Sequence, residues 1–119
     1  MTTQEIAARL VELCRQGKYE EAQKELYADD AVSLEPCESP GFPQETRGLP
    51  AILEKGQNFM SMIEEMHGGS VGDPIVAGSS FACTMSLDVK MKGQDRMNMS
   101  ELCVYLVKDG KVATEQFHM

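Results

Sequence analysis

Three glutamates fall in stretches that read as β-strands, where exposure to solvent does not explain them: Glu35, Glu101 and Glu115. Burial in an apolar setting raises the pKa of a carboxyl group toward neutrality, where it can donate or accept a proton. Glu115 alternates with Ala113 and Phe117, so we expect it in a pocket or, alternatively, near a mouth that reaches water. These three residues point to general acid–base chemistry on a small molecule.

The last hairpin predicts how Glu101 and Glu115 are oriented. If Asp109-Gly110 is a two-residue turn, Glu101 lies opposite His118, and Glu115 lies on the other face of the sheet. The Glu115 face is the more apolar one and is expected to face the helices; its other members are Leu102, Val104, Leu106, Ala113 and Phe117. Glu101 and His118 are then either a proton-carrying pair or a polar pair on the outer face of the sheet.

The hydrophobic pattern changes along the chain from a helical period to a strand period. Helices are predicted over about 3–16, over about 18–27, and from Gly48 to Gly68-Gly69, the last with a buried stripe of Ile52, Phe59, Met60, Ile63 and Met66. Strands are predicted over about 31–35, 70–77, 81–91, 96–108 and 112–119. This order favours an α+β fold, with three helices packed on one face of a curved antiparallel sheet that forms a cone-shaped barrel.

Length and charge limit the classes of function. The 119 residues make one domain, 1–119, and 11 basic against 19 acidic residues give a formal charge of −8. An acidic chain without a basic cluster is not expected to bind nucleic acid or an anionic membrane surface. Without a long apolar run or a signal peptide, the sequence predicts a cytoplasmic protein.

The cysteines and methionines give weaker signals of function. Cys14, Cys37, Cys83 and Cys103 lack C-x-x-C spacing, so we expect buried free thiols, no metal site and no cofactor. Of the nine methionines, Met60, Met62, Met66, Met85, Met91, Met97 and Met99 are either ordinary core residues or an adaptable wall for an apolar ligand.

Several short motifs, taken in order, resemble one superfamily. They are Leu26-Tyr27-Ala28-Asp29-Asp30-Ala31, a strand ending in Glu35-Pro36, an irregular loop, Arg47-Gly48 leading to Ala51-Ile52, and Asp109-Gly110-Lys111-Val112. Together they resemble the nuclear transport factor two-like superfamily, with its SnoaL-like and ketosteroid isomerase branches, over nearly the whole chain. This superfamily includes isomerases, cyclases, hydrolases, dehydratases and binding modules, so the fold alone does not decide the function.

The resemblance implies roles for the candidate residues. Glu35 is similar to the isomerase base that moves a proton across an enone; the alternative is a carboxylate at the rim, in solvent beside Glu38. Glu101 or Leu102 matches the protonated acid that stabilises the oxyanion. A β-bulge would turn Glu101 to the pocket face. The isomerases also place an oxyanion-donating tyrosine on the first helix, where this sequence has Leu10; Tyr19, Tyr27 or Tyr105 are the available substitutes.

Two classes of function follow. The first is an enzyme that transfers a proton alpha to a carbonyl group of a small apolar organic molecule, as an isomerase or a polyketide cyclase does. The second is a non-catalytic binding or dimerisation module of the same fold. Under either, a homodimer is expected through the outer sheet face, predicted to bear Cys103, Tyr105 and Thr114.

Overall fold

The computed structural model describes all residues from 1 to 119, and three helices and seven strands make up the chain. In chain order these elements are α1 (Thr3–Arg15), α2 (Tyr19–Leu26), β1 (Tyr27–Leu34), β2 (Glu45–Arg47), α3 (Leu49–Ser61), β3 (Ile63–Val71), β4 (Ile75–Ala77), β5 (Ser80–Met91), β6 (Arg96–Lys108) and β7 (Lys111–His118). The predicted α+β class and the first two helices are confirmed.

Local signals set the helix ends. The Thr2 hydroxyl accepts a hydrogen bond from the Glu5 N–H and the Glu5 carboxylate accepts one from the Thr2 N–H, which begins α1 with a capping box. Gly48, with φ of 90°, turns the chain from β2 into α3, and proline follows in the first turn of that helix. Apolar residues of α1 pack on the sheet and form the largest helical part of the core: Ile6, Ala7, Leu10, Val11, Leu13 and Cys14.

The third helix is shorter than predicted. It ends at Ser61, and the chain from Ile63 to Val71 forms β3, an edge strand that pairs antiparallel with β5. Ile63 and Met66 therefore do not continue the buried stripe of α3, in which Ile52 alone is fully buried. Hydrogen bonding to β5 gives this segment a partner that its local sequence does not reveal, so tertiary pairing overrides the helical spacing.

The strands form one curved sheet in the order β2-β1-β7-β6-β5-β3, with β4 also paired to β5. β1 and β7 run parallel, so the prediction of a wholly antiparallel sheet is wrong at this pair. β2 and β3 remain at opposite edges, and the sheet does not close into a complete barrel. The helices cover its concave face, which leaves the opposite face without helices.

A β-bulge changes the register of the last hairpin. Lys108 pairs with Lys111 as predicted, but the register shifts after Val107, so that Leu102 rather than Glu101 lies opposite His118. The extra residue on β7 places Glu115 opposite Tyr105. Glu101 and Glu115 therefore share the concave face, and the predicted Glu101–His118 pair is wrong.

The buried face of β6 also differs from the prediction. Cys103 and Tyr105 are in the core, whereas Leu102 and Leu106 are 42% and 49% exposed. A comparison of apolar residues on the two faces favoured the leucines, but Tyr105 stacks on Phe81, with ring centroids 4.7 Å apart, and fills the interior instead. Cys103 and Tyr105 thus cannot contribute to the outer face, as the dimer prediction required.

Candidate functional site

A pocket of about 430 Å³ lies between the concave face of the sheet and the helices. Its wall is mostly apolar, and five of the seven methionines considered above line it: Met60, Met85, Met91, Met97 and Met99. The pocket also contains Glu35, Glu101 and Glu115, so the structure brings together three of the four predicted site residues. His118 is exposed and does not line it.

Glu35 lies where β1 meets the pocket. It follows directly after β1, and its N–H donates to the Gln44 carbonyl at 2.8 Å, which fixes the backbone at the start of the irregular loop 36–44. Its side chain is 23% exposed, and its Oε1 accepts a hydrogen bond from Lys55 Nζ at 2.9 Å. Glu35 is therefore a carboxylate held at the pocket wall by an ion pair.

Lys55 and Ser33 are parts of the site that the sequence analysis missed. Lys55 is 11% exposed, and its ammonium also donates to Ser33 Oγ at 2.6 Å and lies 5.6 Å from the centre of the Phe117 ring. Lys55 is three residues after Ile52, so it lies on the helix face that packs inward. That spacing from a buried isoleucine is the signal that could have identified it.

Glu115 is the most deeply buried acid, with 2% exposure. The Tyr27 hydroxyl donates to its Oε1, and Ser33 is its partner across the parallel pair β1–β7. Burial raises the pKa of Glu115, whereas the Ser33 and Tyr27 hydroxyls and the charge of Lys55 oppose that rise. Tyr27 itself stays protonated, because burial raises its pKa well above the ordinary value.

Of the three acids in the pocket, Glu101 is the one that accepts no hydrogen bond from an N–H or O–H group. Its contact is with the Cys103 thiol, 3.7 Å from its Oε1. Burial, and next the negative charge of Glu35, raise the pKa of Glu101 to about 7. At neutral pH this carboxyl group is thus present in both forms, and its protonated form can donate a hydrogen bond to a ligand in the pocket.

The raised pKa of Glu101 predicts a pH dependence of stability. Its ordinary value is 4.5 and its folded value about 7, so the folded state binds the proton more tightly. The stabilisation is fully present below pH 4.5 and is lost as the pH rises to about 7. Urea denaturation at several pH values should show this loss in the wild type and a smaller one in Glu101→Gln; an equal loss in both would contradict the assignment.

The thiols divide into two groups. Cys14, Cys83 and Cys103 are buried, and burial raises the pKa of Cys14 to about 12 and that of Cys83 to about 11. Cys37 is exposed and lines the pocket, so the prediction of four buried thiols is wrong at this residue. The irregular loop after Pro36 leaves it at the surface rather than in a strand.

Leu10 lines the pocket together with Tyr19, Tyr27 and Tyr105. Tyr27 already donates its hydroxyl hydrogen to Glu115, and Tyr105 is fully buried against Phe81.

The protein contains no group of three or more His, Cys, Asp or Glu side chains placed to hold a metal ion. None of its helices is long and apolar enough to cross a membrane.

Comparison with known proteins identifies the fold independently. A family model described as the SnoaL-like domain matches residues 1–119. The structure of a protein described as a candidate SnoaL-like polyketide cyclase from Mesorhizobium loti is 38% identical, with a TM-score of 0.92 and 100% of both chains covered. No curated protein matches the sequence.

Two more distant structures share the fold. IdmH, a candidate polyketide cyclase from Streptomyces antibioticus, is 21% identical with a TM-score of 0.71, and the match covers 99% of this chain and 91% of IdmH. A hypothetical protein of ketosteroid isomerase-like fold from Catenulispora acidiphila, in complex with trimethylamine, is 15% identical with a TM-score of 0.73, covering 99% and 87% of the two chains. The predicted SnoaL-like membership is confirmed by the family model and the Mesorhizobium loti structure, and these two structures share the fold.

Proposed function

We propose that this chain, which belongs to the SnoaL-like domain family, binds a small, largely apolar carbonyl compound and transfers a proton alpha to the carbonyl group. The observation that carries the proposal is the convergence of Glu35, Glu101 and Glu115 in one apolar pocket. Such a pocket, apolar with a few convergent polar groups, is typical of a small-molecule site. The likeness to a candidate polyketide cyclase from Mesorhizobium loti supports the same substrate class.

Glu35 is the proposed base. A base must be unprotonated, and the ion pair with Lys55 is made by the carboxylate form. Glu35 takes the proton from the carbon next to the carbonyl, and the electrons of that C–H bond move to give an enolate. Return of the proton to a different carbon completes an isomerisation. In a cyclisation the enolate carbon instead attacks a second carbonyl carbon, and the alkoxide oxygen that forms takes back the proton from Glu35.

Glu101 is the proposed hydrogen-bond donor to the enolate oxygen. Glu115 already accepts from Tyr27, whereas Glu101 has only a thiol contact and is free to bind a ligand. In its protonated form Glu101 stabilises the negative charge that develops on oxygen, which an oxyanion donor does in acyl and enolate chemistry. Glu115 is assigned the supporting role of the buried acid behind the reacting groups.

A panel of enones and enolisable ketones tests the proposal. Each compound is incubated with the wild-type protein, and its binding is followed by protection of the exposed Cys37 from a thiol reagent, with an unchanged protein mass showing that no enone has added to the thiol. Loss of its α-proton is followed by NMR in D₂O. We expect at least one compound to protect Cys37 and to exchange faster than in buffer. A compound that protects Cys37 but exchanges at the buffer rate would favour the non-catalytic binding module.

We also propose a homodimer through the outer face of the sheet. Leu102 and Leu106 are exposed there without a helix to cover them, and they take the place of Cys103 and Tyr105, while Thr114 lies opposite Leu106. Light scattering coupled to size exclusion should give twice the chain mass for the wild type, and a smaller mass for Leu102→Lys. A monomeric wild type at all concentrations tested would refute the dimer.

A further inference from the structure

Lys55 has protein partners on three sides. Its ammonium donates to Glu35 Oε1 at 2.9 Å and to Ser33 Oγ at 2.6 Å, and it lies over the Phe117 ring at 5.6 Å from the centroid. A lysine side chain is long and flexible, so fixing it at 11% exposure costs conformational entropy that these contacts must offset. The position of this ammonium is thus tightly determined by the pocket wall.

Ser33 extends the arrangement to the deepest acid. Its side chain is fully buried, and its Oγ accepts a hydrogen from Lys55. Because a serine hydroxyl has one hydrogen, that hydrogen remains for Glu115, its partner across β1–β7, and the Ser33 hydroxyl lowers the pKa of Glu115. A continuous polar chain therefore runs from Glu35 at the pocket wall, through Lys55 and Ser33, to the buried carboxyl group.

We propose that Lys55 is a positioning residue that holds the Glu35 carboxylate in its reactive place and couples it, through Ser33, to Glu115. The inference rests on the proposed function for its effect on rate, but its effect on the acids is independent of catalysis. Without the ammonium, Glu35 loses the one charged partner that fixes its side chain. A base displaced by about 1 Å costs on the order of 10²-fold in rate.

The same ammonium acts on Glu101. The charge of Lys55 lowers the pKa of Glu101 as well as that of Glu115, against the effects of burial and of Glu35. The other titratable groups that interact with Glu101 come from β7, β6, α2 and β5: Glu115, Cys103, Tyr19 and Cys83. Lys55 is the one cation that lowers the pKa of both Glu101 and Glu115, so both carboxyl groups should respond to its removal.

The test compares Lys55→Met and Lys55→Arg by carboxyl ¹³C NMR titration and by α-proton exchange. Methionine keeps the apolar stem without the charge, and arginine keeps the charge; Lys92→Met, at an exposed site outside the pocket, is the matched control. In Lys55→Met we expect the titration midpoints of Glu101 and Glu115 to rise and kcat to fall about 10²-fold with KM little changed. Lys55→Arg and Lys92→Met should keep midpoints near those of the wild type.

A second variant covers the case in which Lys55→Met does not fold. Ser33→Ala keeps the Lys55–Glu35 ion pair and removes the link to Glu115, so the midpoint of Glu115 should rise. Unchanged midpoints in Lys55→Met, or in Ser33→Ala if only that variant folds, would overturn the proposal. If the midpoints shift in these variants but the wild-type protein exchanges no α-proton, the proposed catalysis is refuted. The role of Lys55 in organising the acids would then still stand.

Discussion

Glu35→Gln is expected to slow α-proton exchange by about 10²–10⁴-fold, because the amide cannot accept the proton that the carboxylate takes. The glutamine carbonyl can still accept a hydrogen bond from Lys55, which in the wild type donates at 2.9 Å to the carboxylate. The ligand should therefore bind with an affinity close to that of the wild type. The measurement is the initial rate of deuterium incorporation, with binding followed separately by protection of Cys37.

The matched control for this substitution is Glu38→Gln. Glu38 is exposed in the same loop and does not line the pocket, so its variant should exchange at the wild-type rate. Equal losses in the two variants would indicate an effect of charge on the loop rather than a base at residue 35. Undiminished exchange in Glu35→Gln would exclude Glu35 as the base.

The second large effect concerns the pH dependence of the rate. If protonated Glu101 donates to the enolate oxygen, kcat/KM of the wild type should fall above about pH 7, where that carboxyl group ionises. Glu101→Gln should abolish this break, since an amide donates at any pH, and should exceed the wild type at pH 9. Glu101→Leu removes the donor and should be about 10²–10³-fold slower than Glu101→Gln at every pH.

These variants separate the hydrogen-bond donor of residue 101 from its ionisable group. Leucine and glutamine both remove the ionisable group, so only the loss of a donor distinguishes their rates. A break near pH 7 that persists in Glu101→Gln would assign the titration to another group. A Glu101→Leu variant as active as Glu101→Gln would show that residue 101 does not stabilise the oxyanion.

The sequence predicts the helices and the long strands because their signals are local. Thr2 and Glu5 form the capping box that their spacing indicates, and the alternation from Phe81 to Met91 matches β5. The predicted end of α3 is wrong, because Ile63 and Met66 have helical spacing in the sequence while pairing with β5 decides their conformation. Non-local hydrogen bonds of this kind leave no mark in a short window of sequence.

The sequence indicated the three acids of the candidate site but not the face of the sheet on which Glu101 lies. Glu35 and Glu115 lie in the pocket as expected, but Glu101 reaches it only because the bulge near Val107 shifts the register by one residue. The resemblance favoured that placement, whereas the ideal hairpin contradicted it. Lys55 and Ser33 were missed because their importance arises from contacts between α3, β1 and β7 that lie far apart in the chain.

The most direct test of the central claim uses excess protein and an α-¹³C-labelled ketone in D₂O at pH 6, where Glu101 is largely protonated. Because nearly all of the ketone is then bound, the ¹³C signal reports exchange inside the pocket. The proposal predicts α-deuteration faster than in buffer with the wild type, and at the buffer rate with Glu35→Gln. Bound ketone that keeps its α-proton for as long as free ketone would contradict proton transfer in this pocket.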